Sequence, residues 1–298
     1  MPRRRTFVDT NSWLNSSLFA FNCPQRTVST DHNFNMKTRS IRIATFIIIA
    51  IATFVPALSQ TNFTQPRAVS FDRVTRRLFP TYYGAAEYQQ LMSEGFYPIG
   101  WSRDGKFAYY VEPPDEACGC YFAELVIQDL KTDKEVWKFK NDPESRTNPK
   151  GEILDDDIRR LWRRNQKMFS KKLREHRIIP LRRFALLGTS FSIGGKAYTA
   201  NLTAQKSKDD EYDMERVMKM KVSLSTASLG NKSLSDIAYK GDEANNAPLE
   251  AALAGVFKSP YENRVAIVLF KVFRGWEGPP HTLDTQIIGA DLRTGFRK

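Results

Sequence analysis

Residues 101–111, WSRDGKFAYYV, and residues 124–132, ELVIQDLKT, carry the signals that decide the fold. Asp104-Gly105 predicts a tight turn, because glycine readily adopts the positive φ that hairpin turns need. The apolar runs that follow the turn are rich in aromatic and β-branched residues, a composition typical of strands. The sequence therefore predicts a pair of antiparallel strands joined by a Pro-rich loop at 112–119.

The same order of signals recurs near the C-terminus. Both copies read as a turn, a strand, a loop, a second strand and an Asp-Leu-basic-Thr turn. In the second copy these signals fall at 259–260, 265–270, 275–280, 286–290 and 291–294. The sequence therefore predicts two repeats, at about 97–137 and 255–296.

These repeats carry a resemblance to known families. Residues 101–106, WSRDGK, with 125–130, LVIQDL, resemble one blade-type repeat of the TolB and WD40-like propellers, which pair a Ser-Pro-Asp-Gly turn with two strands. The two copies together, the second containing GWEGP at 275–279, are similar to a bacterial family of predicted secreted proteins of unknown function. That likeness covers most of 95–298, is specific mainly at the repeats, and departs from the family at Cys118-Gly119-Cys120. It implies export and a β-rich fold, and no reaction.

Between the repeats the sequence predicts one amphipathic basic helix, from about 154 to 174. Asp155-Asp156-Asp157 opens it and basic residues close it, which suits the helix dipole. Its apolar residues have the spacing of one buried face. They are Leu154, Ile158, Leu161, Trp162, Met168, Phe169 and Leu173.

Further strands are predicted after the helix, around 184–187, 198–203 and 218–225, and a short helix before the first repeat, at 85–93. Two repeats are too few for a closed propeller, which needs at least about four blades. The expected fold class is therefore α+β, mostly antiparallel β. Its two propeller-blade-like or sandwich-like repeats carry the basic helix packed on one face.

Residues 36–60, MKTRSIRIATFIIIAIATFVPALSQ, predict an export signal. A basic segment precedes an apolar core, and Ala57-Leu58-Ser59 supplies the small residues of a cleavage site. We therefore expect three parts: a disordered or misassigned N-terminal extension at 1–35, a signal peptide at 36–59, and an extracytoplasmic domain at 60–298. The domain would be periplasmic or secreted. If the signal is not cleaved, it would instead anchor the domain to the outer side of the inner membrane.

The chain is basic, with 45 Lys and Arg against 33 Asp and Glu, a net charge of +12. For an exported protein this charge implies an anionic lipid surface, a cell-envelope glycan or polymer, or an acidic envelope protein as partner. A basic chain kept soluble by its charge is the alternative. Export argues against nucleic-acid and nucleotide partners, and no cofactor is predicted.

Cys118 and Cys120 are the cysteines of the expected mature chain. In an oxidising compartment they can form a local disulfide, bridge to another chain, or remain inert thiols. His176 and His281 have no His or Cys at ligand spacing, so no metal site is predicted.

No catalytic motif is complete. Gly194-Gly195-Lys196 lacks the spacing and the following Ser or Thr of a phosphate loop. Gly188–Ser192 lacks the glycine that ends a nucleophile elbow. The sequence therefore predicts an exported non-catalytic β-rich protein that binds a partner or ligand at the cell envelope. The alternatives are an envelope hydrolase acting on a glycan or peptide, and a membrane-anchored scaffold.

Two groups of residues are candidate binding sites. One is the basic face of the predicted helix, which would contact an anionic surface or simply remain solvated while the apolar side packs on the sheet. The other is a ligand-binding rim formed by the two repeat loops, for which ordinary Pro-stiffened loops are the alternative. The helix residues are Arg159, Arg160, Arg163, Arg164 and Lys167; the loop residues are Glu112, Asp115, Glu116, Trp276 and Glu277.

Overall fold

The computed structural model describes residues 63–84, 91–115, 120–141, 157–209, 214–276 and 278–298. All of them belong to one compact unit, Gln60–Lys298. The predicted N-terminal extension and the predicted export signal lie outside the described residues.

The described chain is mostly β-structure with a minor helical part, which confirms an α+β fold dominated by antiparallel strands. The helices are α1 (Asp72–Leu78) and α2 (Ile158–Glu175), with 3-10 turns at Pro80–Tyr82 and Gly241–Asn246. The strands up to α2 are β1 (Leu91–Ser93), β2 (Gly95–Trp101), β3 (Lys106–Glu112), β4 (Ala123–Asp129) and β5 (Lys134–Asn141). After α2 come β6 (Ile179–Pro180), β7 (Leu186–Leu187), β8 (Ser190–Ile193), β9 (Lys196–Asp209), β10 (Met214–Thr226), β11 (Gly230–Ala238), β12 (Glu250–Lys258), β13 (Arg264–Phe273) and β14 (His281–Asp291).

These strands form three sheets. The N-terminal sheet has the order β5-β4-β3-β2-β6, and the central sheet has the order β1-β14-β13-β12-β7. The outer sheet has the order β11-β10-β9-β8. Neighbouring strands are antiparallel except for β1, which runs parallel to β14. The three predicted strand regions after the basic helix correspond to β7, β9 and β10.

The central sheet lies between the other two. On β13, Ala266, Val268 and Phe270 belong to the hydrophobic core shared with the N-terminal sheet. The alternate residues, Val265, Ile267 and Leu269, belong to the core shared with the outer sheet. Because β13 is buried on both faces, its sequence is a continuous apolar run rather than an alternating one. Strand β10 of the outer sheet alternates instead, since only one of its faces is buried.

Helix α2 forms a fourth layer, on the other face of the N-terminal sheet. The Asp157 carboxylate accepts a hydrogen bond from the Arg160 backbone N–H at 2.7 Å and so caps the helix. Leu161, Phe169 and Leu173 are fully buried in a core with residues of β3 and β4. The helix is where the sequence predicts it, except that Met168, assigned to its apolar side, is exposed.

The predicted short helix at 85–93 is wrong over its last three residues. Leu91–Ser93 is strand β1, in which Leu91 pairs with His281 and Ser93 with Leu283. Leu91 is also fully buried in the core between the central and N-terminal sheets. A partner strand so distant in the sequence is invisible to local helix propensity, which tertiary pairing overrides here. Residues 85–90 lie outside the described part of the chain.

The two segments predicted to be repeats have the same turn hydrogen bonds. In the first, the Ser102 N–H donates to the Lys106 carbonyl at 2.9 Å, as the Ser259 N–H donates to the Arg264 carbonyl at 2.9 Å in the second. The leucine of each Asp-Leu-basic-Thr turn also donates back to the residue that precedes the first strand. These pairs are Leu130 to Gly105 at 2.9 Å and Leu292 to Asn263 at 2.8 Å.

One buried arginine connects the two predicted repeats. The Arg264 side chain, of which 8% is exposed, donates from Nη1 to the Leu130 carbonyl at 2.8 Å. It also pairs with Glu262 at 3.2 Å and with Asp291 at 3.4 Å within its own repeat. Gly289 permits this contact, since a Cβ there would lie 2.0 Å from the Leu130 carbonyl oxygen. The turn of the first repeat is therefore packed directly against β14 of the second.

Candidate functional site

The basic face of α2 lies on the surface of the domain. All five of the basic residues singled out on this helix are exposed, while the opposite side is buried against the N-terminal sheet. Arg159 also lies 3.8 Å from the Asp157 carboxylate in a pair open to solvent. The apolar side of the helix is packed against the rest of the protein. The side that faces solvent therefore presents charged groups and no apolar stripe. We call Arg159, Arg160, Arg163, Arg164 and Lys167 the α2 basic face.

Glu112, predicted to bind a ligand, is held by two phenols. The Tyr97 hydroxyl donates to its Oε2, and the Tyr121 hydroxyl donates to its Oε1 at 2.5 Å. Burial, together with the hydrogen bond to Glu112, raises the pKa of both tyrosines far above the usual range. Both phenols therefore stay protonated and keep donating. The Glu112 carboxylate ties β2 and β3 to the segment before β4, so it has a structural role in the described chain.

The rest of the first loop is only partly within the described residues. Asp115 accepts a hydrogen bond from the Cys120 backbone N–H. Cys120 is bonded in a disulfide. The other cysteines and Glu116 lie outside the described ranges, so the predicted Cys118–Cys120 pairing stays a prediction.

The second loop presents Trp276 to solvent with 85% of its surface exposed. Next to it, the Gly275 N–H donates to Nδ1 of the buried His281 at 3.2 Å, which fixes the base of the loop. Glu277 lies outside the described residues.

The two loops leave their sheets at the same end of the domain. Gly95, at the start of β2, pairs with Glu112 at the end of β3. The preceding residue, Glu94, donates its N–H to the Leu283 carbonyl near the start of β14 at 3.1 Å. This short connection joins the N-terminal and central sheets where both loops begin.

A cleft that the sequence analysis did not anticipate opens at the base of the second loop. Its volume is about 310 Å³. Its walls come from the start of β10 in the outer sheet, the 3-10 turn Gly241–Asn246, the end of β13 and the start of β14. The residues that line it are Arg216, Asn245, Asn246, Ala247, Phe273, Arg274, Thr282 and Asp284.

Arg216 is the most buried charge in the cleft, with 4% of its surface exposed. Its Nη1 donates to the Ala247 carbonyl at 3.1 Å. The following residue, Val217, donates its N–H to the Pro248 carbonyl at 2.7 Å. The guanidinium group is therefore fixed in place by the segment that leads from the 3-10 turn into β12.

Next to the cleft, the carboxyl group of Glu94 has a raised pKa. Burial, and then repulsion from the Asp284 carboxylate, raises the pKa of Glu94 from 4.5 to about 8. The Thr285 backbone N–H donates to Glu94 Oε2 at 2.9 Å and opposes this rise. At neutral pH Glu94 is therefore mostly uncharged.

Asp284 has a cationic neighbour on the adjacent strand. It lies opposite Lys271 in the pairing of β13 with β14. Burial lowers the pKa of Lys271, and the nearby Asp284 and Glu94 carboxylates oppose that shift. Among the described residues that line the cleft, the charged ones are Arg216, Arg274 and Asp284.

Two kinds of site are not found in the described part of the chain. No group of three or more His, Cys, Asp or Glu side chains there is arranged to hold a metal ion. No helix in the same ranges combines the length and the apolar character that crossing a bilayer requires.

No family model, no curated protein and no solved structure matches the chain.

A loop next to the cleft was predictable from the sequence, but the residues that line the cleft were not. This is the Gly/Pro loop at 275–280, and Arg274 and Thr282 flank that loop. Their position next to a predicted binding loop was an available signal. No sequence signal marks Arg216. In the sequence it is one of several basic residues in an alternating strand, and only the structure places β10 beside the 3-10 turn.

Proposed function

We propose that this chain is an exported, non-catalytic binding protein of the cell envelope, periplasmic or released, that contacts an anionic surface through the α2 basic face. The export signal predicted at 36–60 supports its location. The observation that carries the binding proposal is the exposure of five basic side chains along one side of a helix whose other side is packed in the core.

The contact is electrostatic. Each Lys or Arg near an anionic membrane surface contributes roughly 1 kcal/mol, and the attraction falls off within a Debye length. Five such groups on a rigid helix supply several such contributions without inserting apolar residues. Binding should therefore weaken as salt is added.

Binding is favoured over hydrolysis by the state of Glu112. A glycosidase needs two carboxylates about 5–9 Å apart that can reach substrate. Both oxygens of Glu112 already accept hydrogen bonds from tyrosines. Glu112, one of the loop carboxylates that the hydrolase alternative would use, therefore holds strands together instead.

The matched turn hydrogen bonds of the two repeats support the further proposal that they are blade-like units. In this account the N-terminal and central sheets are a rigid scaffold that carries α2 on one face. Such a scaffold presents the helix at a fixed orientation, which suits binding to an extended surface.

Co-sedimentation with phosphatidylglycerol vesicles tests the proposal, with neutral phosphatidylcholine vesicles alongside. We expect the protein to sediment with the anionic vesicles at low salt and to be released at high salt. A variant with Arg159, Arg160, Arg163, Arg164 and Lys167 all changed to Gln should lose this binding.

The matched control changes five exposed lysines of the outer sheet to Gln, so that both variants lose the same charge. These are Lys196, Lys206, Lys208, Lys219 and Lys221. The control should retain most of its vesicle binding. Equal loss in the two variants would contradict the α2 contact and indicate only a general effect of net charge.

A further inference from the structure

We infer that Trp276 and the cleft at the base of its loop form a binding site for a neutral glycan, an oligosaccharide of β-linked pyranose sugars. The inference stands on the second loop and on the cleft, and it depends neither on export nor on the α2 basic face. Stacking and hydrogen bonds, rather than charge, hold such a ligand.

The backbone of the second loop holds Trp276 out in the solvent. The Gly278 N–H donates to the Gly275 carbonyl at 3.2 Å, so these two glycines close a tight turn with Trp276 at its first corner. Gly275 has no room for a side chain, since a Cβ there would lie 2.2 Å from the Pro280 carbonyl oxygen. The bond from the Gly275 N–H to the buried His281 fixes the same residue from below. The indole is therefore carried on a rigid support.

The exposed indole suits the apolar face of a sugar ring. Trp276 is 85% exposed, which leaves a large apolar surface in water at a cost in free energy. A pyranose with equatorial hydroxyl groups has a flat face of C–H groups, and stacking this face on the indole removes apolar surface of both partners from water. The hydroxyl groups of the sugar then remain at the edge of the ring, where they can bond to neighbouring polar groups.

The surroundings of Trp276 favour a sugar over a membrane or a protein partner. Among the described residues, the other large apolar side chains that are exposed are Val136 on β5 and Met168 on α2. Both belong to the N-terminal sheet and its helix, whereas Trp276 follows β13 of the central sheet. A protein interface or a membrane-bound segment brings several apolar side chains together. A single ring beside polar groups is instead sufficient for a stacked sugar.

The cleft lies where the loop begins and ends. Phe273 and Arg274 lead from its wall into the loop, and Thr282 leads back into it. The Cα atom of Trp276 is therefore within about 7 Å of that of Arg274. The cleft volume of about 310 Å³ is at the lower end of the range of roughly 300–1,000 Å³ for small-molecule sites. An oligosaccharide stacked on the indole can place its next sugar in this space.

The groups that the cleft offers to a ligand are neutral. Its charged side chains, Arg216, Arg274 and Asp284, already interact with other groups of the protein. Asn245 and Asn246, by contrast, are exposed at the cleft. Each amide supplies both donors and an acceptor, which matches the adjacent hydroxyl groups of a sugar. The lining therefore favours a ligand rich in hydroxyl groups over a charged one.

Calorimetric titration of the purified protein with cellotetraose and with chitotetraose tests the inference. Both probes are neutral β-linked chains, and chitotetraose also carries acetamido groups. Glycerol at a matched concentration of hydroxyl groups is the blank. We expect at least one probe to bind saturably, and the probe that saturates tells whether the acetamido groups contribute.

Trp276→Ala should raise the Kd for that probe at least about 10-fold, because the stacking surface is lost. Asn245→Ala should raise it roughly 2- to 10-fold through the loss of hydrogen bonds. Met168→Ala, at an exposed apolar residue of α2, is the matched control and should leave the Kd unchanged. Trp276 and Asn245 are both on the surface, so these variants should unfold in urea at the wild-type midpoint.

The inference is overturned if neither probe saturates, or if Trp276→Ala binds as tightly as the Met168→Ala control. A third result would also overturn it. If the protein binds neither glycan and Trp276→Ala weakens its binding to vesicles, the indole contacts a lipid surface instead.

Discussion

At the scale of single residues, the half-buried carboxyl group of Glu94 makes the stability of the fold depend on pH. Its pKa is raised because the carboxylate form is poorly solvated and lies near Asp284. A carboxyl group whose pKa is higher in the folded protein than in the unfolded chain binds its proton more tightly in the folded state. Its contribution to stability is therefore greatest below pH 4.5 and is lost as the pH rises to about 8.

We predict that Glu94→Gln removes this pH dependence. In the wild-type protein the free energy of unfolding should fall by up to about 1.4 kcal/mol per pH unit within that window because of this group. Glutamine keeps an oxygen acceptor for the Thr285 N–H and carries no charge, so the variant should gain stability over the wild type as the pH rises. Urea unfolding at several pH values measures the difference.

Glu215→Gln is the control, because Glu215 is exposed on β10. Its unfolding free energy should follow the wild-type pH profile. A Glu94→Gln variant with the wild-type slope would show that Glu94 titrates normally.

At the scale of elements, α2 depends on which of its residues face the N-terminal sheet. Phe169 is fully buried, with its ring centroid 5.0 Å from that of Phe139 and 5.1 Å from that of Trp162. Its neighbour Met168 is among the exposed large apolar residues, at 38%. Two consecutive apolar residues of one helix therefore have very different surroundings.

We predict that Phe169→Ala lowers the free energy of unfolding by about 3–5 kcal/mol, because it leaves a cavity between the helix and the sheet. Met168→Ala should change it by no more than about 0.5 kcal/mol, as is usual for surface positions. Chemical denaturation of both variants tests the orientation of the helix. Comparable losses from the two substitutions would contradict the orientation on which the exposed basic face depends.

Some of the helices and strands could be predicted from local sequence, and others could not. The α2 helix and the strands of the repeats were predictable, because each has a spacing or turn signal within its own residues. Strand β1 was not, since Leu91–Ser93 becomes a strand only through pairing with β14. Met168 was misplaced because it lies at the edge of the apolar stripe, where packing against the sheet rather than spacing decides exposure.

At the scale of the whole molecule, the order of the layers could not be predicted from the strand sequences, and only the structure shows it. A continuous apolar run such as 265–270 indicates burial on both faces, yet it does not say which sheets cover them. The hydrogen bond from Arg264 to the Leu130 carbonyl joins the N-terminal and central sheets. No local sequence pattern predicts this contact. For the same reason the cleft, whose residues come from four separate stretches of the chain, could not be predicted.

Export is the central claim about the whole molecule, and the N-terminal sequence and cell fraction of the protein from its native host test it most directly. The account predicts a mature chain that begins at Gln60 and is found in a soluble extracytoplasmic fraction. A chain that keeps residues 36–59 and sediments with membranes would indicate an anchored domain instead. An uncleaved chain in the cytoplasm would contradict the proposed location and, with it, a role at the cell envelope.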